Sequence, residues 1–263
     1  MKRCPLSIPF LILFACGGNE THTGDIAYAE LKIQVDTVLV DSGEEILMAA
    51  TRGFGLAISA DGKMLYNWDP ESSQVEFVDL ESMKLLKKQR FEKEGPNGVG
   101  TNAHVMRIHP NNQLAFIGWD NAISIADLEG NVSQKIKLNE PWMVEGLEEK
   151  GSLSLLAFSE DGIKAYCSLI NFKMLSADIV ELDIENKQRR ILQLPEFEKL
   201  DKFRIAWSSA DGRGMSMWHP NLSAIPWRGK MLFWTNAMAG VYRFDPAMDS
   251  LEWRQYNSLL TAN

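Results

Sequence analysis

A turn followed by a strand first occurs in Ser59-Ala60-Asp61-Gly62-Lys63-Met64-Leu65-Tyr66-Asn67-Trp68, and this pattern recurs along the chain. Similar turns begin at His109 and Ser159, so the first three copies lie 50 residues apart, and a looser copy occupies residues 227–230. Asp-Gly supplies the positive φ that a tight hairpin turn requires. Each turn precedes a run rich in apolar and aromatic residues, which is typical of a strand with one buried face. The repeat therefore predicts a series of antiparallel sheets.

Each unit continues with a second strand that ends at an acidic turn, and a third, more polar strand follows it. The second strands are Val75–Leu80, Ile123–Leu128, Ile179–Ile184 and Val241–Pro246. Short strands in a repeat of this length are typical of the four-stranded antiparallel blades of a β-propeller. A β-sandwich is the alternative fold, but its strands follow one another without such a recurrence. We therefore predict an all-β protein, a β-propeller with about four blades.

Two segments lie outside these units. Residues 31–40 alternate between apolar and polar side chains, which predicts a strand. An N-terminal strand often completes the last blade of a closed propeller, so we assign residues 31–40 to that position. Glu196–Phe203 is the one stretch with a helical pattern.

The N-terminus has the pattern of a secretory signal. Met1-Lys2-Arg3 is cationic, and the mostly apolar run that follows is too short to span a bilayer. Leu13-Phe14-Ala15-Cys16 resembles the bacterial lipobox, in which cleavage before the cysteine exposes it to acylation. We predict a lipoprotein signal peptide at residues 1–15, lipid on Cys16 and a polar tether at residues 16–30. The alternative is a buried cysteine in an apolar N-terminal strand.

Composition excludes several classes of protein. The chain has 263 residues, of which 45% are hydrophobic and 24% are charged, and these fractions suit a globular protein. Its formal net charge of −8 argues against a nucleic-acid partner, which needs a cationic surface. With Cys4 removed and Cys16 acylated, Cys167 has no partner for a disulfide within the chain. Cys167 lies in an apolar strand-like run, which favours an inert core residue.

Several segments together resemble a known family. They are Cys16-Gly17-Gly18, Val35-Asp36-Thr37-Val38, Leu65-Tyr66-Asn67 and Phe91-Glu92-Lys93-Glu94-Gly95-Pro96-Asn97-Gly98-Val99-Gly100. They look like a family of lipoproteins from Bacteroidota-type bacteria, described as domain of unknown function 4221. The resemblance runs from the signal to the C-terminus, and residues 93–100 are its most specific part. It implies a fold similar to six-bladed propellers and a lipid-anchored location, but no activity. Gly17 after the cysteine fits sorting to the outer membrane, as lipoproteins of this kind imply.

The loop at residues 93–100 is the first candidate for a ligand site. Its glycines and proline permit sharp reversals and close backbone approach. Its place after the third strand of a unit predicts the crossing into the next blade, at a face where ligands commonly bind. Lys93, Glu94 and Asn97 are the ligand-facing candidates, and a purely structural turn is the alternative.

Tryptophans supply a second candidate. The irregular stretch from Trp207 to Asn221 delays the fourth unit, so that 70 rather than 50 residues separate the turns near 159 and 229. As a long loop it would offer Trp218 for stacking against a sugar or a peptide, whereas a divergent strand pair is the alternative. Trp68, Trp119 and Trp234 end equivalent strands, which predicts that they pack between blades.

Metal and cofactor sites have little support. His104 and His109 are five residues apart, so they would point to opposite faces of one strand. We therefore predict no metal site and no cofactor, with calcium on the propeller axis as a weak alternative. Asp69, Glu71 and Asp120 are the acids available for it.

These observations favour a binding protein over an enzyme. We predict an outer-membrane lipoprotein whose propeller binds a ligand or a protein partner. The alternative is a propeller hydrolase or lyase that acts on a carbohydrate or small molecule through carboxylates, with calcium as its metal. Residues 31–263 supply about four units, which is short for a six-bladed ring. We expect either a smaller ring or a C-terminally truncated, incomplete one.

Overall fold

The computed structural model describes residues 35–48, 55–147, 149, 151–170, 178–208, 215–218 and 220–256. Blade 1 contains β1 Leu56–Ile58, β2 Met64–Asp69, β3 Gln74–Asp79 and β4 Lys84–Arg90. Blade 2 contains β5 Ala103–His109, β6 Gln113–Gly118, β7 Ala122–Ala126 and β8 Val132–Lys137. Blade 3 contains β9 Ser152–Phe158, β10 Lys164–Ile170, β11 Ile179–Asp183 and β12 Gln188–Leu192. Blade 4 contains β15 Leu222–Trp227, β16 Lys230–Thr235, β17 Gly240–Asp245 and β18 Ser250–Gln255.

Each blade is a four-stranded antiparallel meander in which every strand pairs with its neighbours in sequence. The first strands lie on the same side of successive blades, with β1 next to β5 and β9 next to β15. The prediction of a four-bladed β-propeller is thereby confirmed. Its regularity follows from the repeat, because each hairpin sets the register of the strand that it introduces.

The predicted opening turns adopt the conformation that their residues favour. Gly62 and Gly162 have φ values of 74° and 75°, and Asn111 and Asn112 take the same left-handed region in blade 2. In two of these turns a serine hydroxyl donates to the aspartate two residues later, from Ser59 to Asp61 and from Ser159 to Asp161. Each aspartate also accepts a hydrogen bond from the backbone N–H of the residue just before the next strand. These bonds hold the hairpins closed.

The core lies between the blades. Three buried clusters within the described residues join blade 1 to blade 2, blade 2 to blade 3 and blade 3 to blade 4. Trp68 of β2 and Phe116 of β6 meet in the first cluster with ring centroids 4.8 Å apart. Tyr166 of β10 and Phe233 of β16 meet in the third at 5.7 Å. Packing of one blade on the next therefore supplies most of the buried apolar surface.

The insertion before blade 4 is a divergent strand pair. A 3₁₀ helix at Pro195–Phe203 precedes the hairpin of β13 Ile205–Ser208 and β14 Met215–Trp218. Phe197 and Leu200 of the helix are buried in the cluster between blades 3 and 4. The helical pattern predicted at Glu196–Phe203 is thus confirmed as a 3₁₀ helix. A short α1 at Pro141–Val144 joins blades 2 and 3.

The prediction of a strand at residues 31–40 is wrong for the part of this segment that the structure describes. Residues 31–34 lie outside the described residues, and 35–40 have no strand. Leu39 is 85% exposed, so the alternation does not bury an apolar face. Asp41 instead forms a parallel bridge with Lys84, at the outer edge of blade 1. Within the described part of the chain, no helix has the length and hydropathy needed to cross a membrane.

Candidate functional site

The antiparallel blades have two different ends. One end carries the turn between the second and third strands and the connection into the next blade, and we call it the crossing face. The other end carries the first and third turns of each blade, and we call it the hairpin face. The predicted ligand loop lies on the crossing face, between β4 and β5.

The loop from Phe91 to Asn102 closes on itself. Val99 N–H donates to the Glu92 carbonyl at 2.8 Å, and Gly100 N–H donates to the Lys93 carbonyl at 3.1 Å. Phe91 and Val99 anchor the two ends in the cluster between blades 1 and 2. The loop therefore presents a rigid backbone, which is the condition under which a loop can hold a binding site in place.

Gly98 is required by this closure. A Cβ built at Gly98 would lie 2.5–2.7 Å from the backbone atoms of Glu94, closer than real Cβ atoms approach. Gly98 N–H also donates to the Gly95 carbonyl at 3.2 Å. The position is thus restricted by the space available rather than by a left-handed φ.

The three polar candidates on this loop are exposed together. Lys93 already forms one hydrogen bond within the protein, in which its Nζ donates to the Glu71 carbonyl oxygen at 3.0 Å. Lys135 Nζ donates to the Gly95 carbonyl from blade 2 at the same distance. Glu94 and Asn97 project from the exposed tip. The ligand-facing roles of Lys93, Glu94 and Asn97 stay predictions.

An exposed aromatic stack stands beside this loop. Trp119 follows β6, and its backbone N–H donates to the Asn102 carbonyl at the end of the loop, at 3.3 Å. Its side chain is 75% exposed and lies face to face on His104, with centroids 3.6 Å apart and planes 5° apart. Burial lowers the pKa of His104, and the nearby Arg107 charge lowers it further. A neutral imidazole therefore covers one face of the indole and leaves the other free.

The prediction for the three equivalent tryptophans is correct in one case. Trp68 is 1% exposed and packs between blades, whereas Trp119 does not. Trp68 lies inside β2, but Trp119 comes after β6 has ended at Gly118, so it extends beyond the neighbouring blade. Trp234 is 37% exposed, on the face of blade 4 that points away from the cluster with blade 3. Sequence reasoning missed the exposed stack because the strand end could not be placed to one residue.

Trp218 belongs to a different surface. It pairs with Ile205 across the β13–β14 hairpin, and Trp207 lies on the same face because it is two residues from Ile205. All three side chains are about half exposed. The structure does not place Trp218 in the loop that carries Lys93, Glu94 and Asn97, and its ligand-facing role also stays a prediction.

Two buried glutamates are engaged in structural contacts. Glu181 is 5% exposed and receives Lys164 Nζ at 2.9 Å and both Arg190 contacts at 3.0 Å. Glu76 is 2% exposed and accepts the Met48 N–H and the Asn67 amide. Such contacts offset the cost of burying a carboxylate. They tie Glu76 to the N-terminal segment and Glu181 to its own blade.

The acids considered for calcium are turn residues. Asp69 accepts the backbone N–H groups of Glu71 and Ser72, and Asp120 accepts that of Ala122. Across the described ranges, no group of three or more His, Cys, Asp or Glu side chains could hold a metal ion. Burial raises the pKa of the Cys167 thiol, which keeps it protonated in the core.

A family model described as "Domain of unknown function (DUF4221)" matches residues 27–263. None of the curated proteins compared with the chain matches it.

The solved structures that are similar to this chain include the following three. A member of the DUF4221 family from Bacteroides vulgatus has a TM-score of 0.47 at 10% identity, covering 78% of this chain and 58% of its own. A protein of unknown function from Bacteroides caccae has a TM-score of 0.42 at 12% identity, covering 79% and 62%. Kuenenia stuttgartiensis hydrazine synthase has a TM-score of 0.38 at 16% identity, covering 78% and 54%. The chain thus spans between about half and three fifths of the length of these structures.

Proposed function

Because this chain belongs to the DUF4221 family, described as a domain of unknown function, we propose from its own residues that it is an outer-membrane binding lipoprotein. Lipid on Cys16 anchors it, and its propeller presents the crossing face to a ligand or protein partner. Cys16 lies outside the described residues, so the anchor rests on the sequence pattern alone.

The Trp119 side chain is the observation that supports binding most directly. It is the most exposed tryptophan of the described chain, and its ring stacks face to face on His104. A large apolar side chain kept in water carries a hydration cost that a bound ligand would relieve. The open indole face fits the apolar face of a sugar ring or an aromatic side chain.

The neighbouring loop adds polar groups at the same face. Glu94 and Asn97 are exposed, and Lys93 lies with them at the loop surface. A rigid aromatic platform with adaptable polar side chains beside it is the usual composition of a binding surface. The fixed loop also limits the conformational entropy lost on binding.

The binding proposal is tested by calorimetric titration of the protein with cellotetraose, chitotetraose and the peptide Gly-Tyr-Gly-Tyr-Gly. We expect at least one probe to bind, and Trp119→Ala to weaken that binding about tenfold, because the stacking surface is removed. Trp227→Ala is the matched control, since Trp227 is 44% exposed on blade 4. Its substitution should leave the affinity unchanged. Absence of binding by all three probes, or equal weakening by the two variants, would contradict the proposal.

The anchor is tested by fractionation of cells that produce the full chain. Cys16→Ser should move the protein from the membrane fraction to the soluble fraction, because acyl chains supply about 0.8 kcal/mol of membrane affinity per buried methylene. Cys4→Ser is the control, as it makes the same substitution within the predicted signal and leaves the lipidation site. If the Cys16→Ser protein stays in the membrane fraction, the lipid anchor is wrong.

A further inference from the structure

A cavity of about 660 Å³ lies on the hairpin face between blades 1 and 2. Its walls are the first turn of blade 1 at residues 59–61, parts of β2, β3 and β4, and blade 2 turns at residues 109–112 and 128–129. Pockets for small ligands commonly have volumes of about 300–1,000 Å³. The cavity is at the opposite end of the blades from Trp119, so it is a second and separate candidate site.

The floor of the cavity is apolar. Tyr66 and Phe77 meet there edge to face, with centroids 5.2 Å apart, and Met64 and Ile108 continue the surface. Leu86 lies at a bulge of β4, where the pairing with β3 shifts, and its side chain is 58% exposed at the mouth. Bulges often re-aim a side chain in this way. The cavity therefore offers an apolar ligand group both a floor and a flank.

Charges of both signs line the rim. Lys87 Nζ lies 4.6 Å from the centroid of the Phe77 ring, on the blade 1 side. Asp61 stands at the first turn of blade 1 and Glu129 at the third turn of blade 2. Within the described ranges none of the three forms an ion pair. The hydroxyl of Ser59 lowers the pKa of Asp61, which keeps that carboxylate charged.

We propose that this cavity binds a short peptide with free termini, its carboxylate at Lys87, its ammonium group at Asp61 and Glu129, and an apolar side chain on the floor. One cation and two anions around an apolar floor complement a zwitterion with an apolar body. The volume suits several residues rather than one amino acid. A neutral sugar would supply no opposite charge to any of the three.

Calorimetric titration with trileucine tests the proposal on the unaltered protein. We expect trileucine to bind, N-acetyl-trileucine amide to bind about threefold more weakly or worse because both terminal charges are gone, and triglycine to bind about tenfold more weakly for lack of apolar contact. Maltotriose should not bind at this site. Failure of trileucine to bind, equal binding of the blocked peptide, or competition by maltotriose would each overturn the proposal.

Two pairs of variants locate the site. Lys87→Gln and Asp61→Asn should each weaken trileucine binding about threefold, as expected for exposed charge pairs. Lys84→Gln is the control for Lys87→Gln, because Lys84 is an exposed residue of β4 outside the cavity. Asp161→Asn is the control for Asp61→Asn, because Asp161 accepts the same serine hydrogen bond in the equivalent turn of blade 3. Both controls should bind as the wild type does, and thermal melts show that each variant is folded. If a variant and its control bind trileucine with equal affinity, the assignment is refuted. Trp119→Ala, which alters the crossing face, should not change trileucine binding.

Discussion

Trp68→Ala is expected to lower the free energy of unfolding by about 3–5 kcal/mol. Trp68 is 1% exposed, and its ring packs edge-on against Phe91 and Phe116, with centroids 6.2 and 4.8 Å away. Its indole N–H donates to the Ala103 carbonyl at 3.4 Å. The substitution removes a large side chain from the cluster that joins blades 1 and 2 and leaves a cavity and an unpaired carbonyl.

Equilibrium unfolding in urea, followed by circular dichroism, measures this loss. Trp119→Ala is the matched control, because it is the same substitution near the end of the corresponding strand of blade 2, where the side chain is 75% exposed. We expect that control to cost less than about 1 kcal/mol, since it removes one exposed stack. Similar losses for the two variants would show that the blades do not pack through Trp68.

Gly98→Val is expected to lower the free energy of unfolding by about 3 kcal/mol. The added Cβ would lie 2.5 Å from the Glu94 carbonyl carbon, a backbone atom that cannot move without opening the loop. Opening it breaks the 2.8 Å bond from the Val99 N–H to the Glu92 carbonyl. The loss comes from overpacking, and it needs no ligand.

Thermal unfolding compares this variant with Asn97→Val, which places the same side chain at the exposed neighbouring residue. The control should melt close to the wild type. A Gly98→Val protein that melts like the control would mean that the loop has room at Gly98 and does not close as described.

The repeat carried most of the information about the fold. The turns at Ser59 and Ser159 could be predicted because Asp-Gly has a strong local preference, and Gly62 and Gly162 have the positive φ that such a turn requires. Residues 31–40 show the limit of this reasoning. Their alternation satisfies the pattern of a strand, but a strand also needs a partner, and among the residues that the structure describes pairing begins at Asp41.

The site was less accessible to sequence reasoning. Lys93, Glu94 and Asn97 share one loop, so local composition sufficed to group them. The stack of Trp119 on His104 depends on the register between β5 and β6, and the cavity near Lys87 depends on contacts between two blades. Trp68 lies one residue before the end of β2 and is buried, whereas Trp119 lies one residue after the end of β6 and is exposed. No pattern in a single sequence resolves such a difference.

The most direct test of binding at the crossing face is a crystal structure of the protein soaked with cellotetraose, chitotetraose and Gly-Tyr-Gly-Tyr-Gly, in a lattice that leaves Trp119 uncovered. The expected result is density for a sugar or aromatic ring parallel to the open face of the Trp119 indole, about 3.5–4 Å from it. Polar contacts to Glu94 or Asn97 should accompany it. A probe bound elsewhere on the propeller, with only solvent over Trp119, would contradict the proposed function.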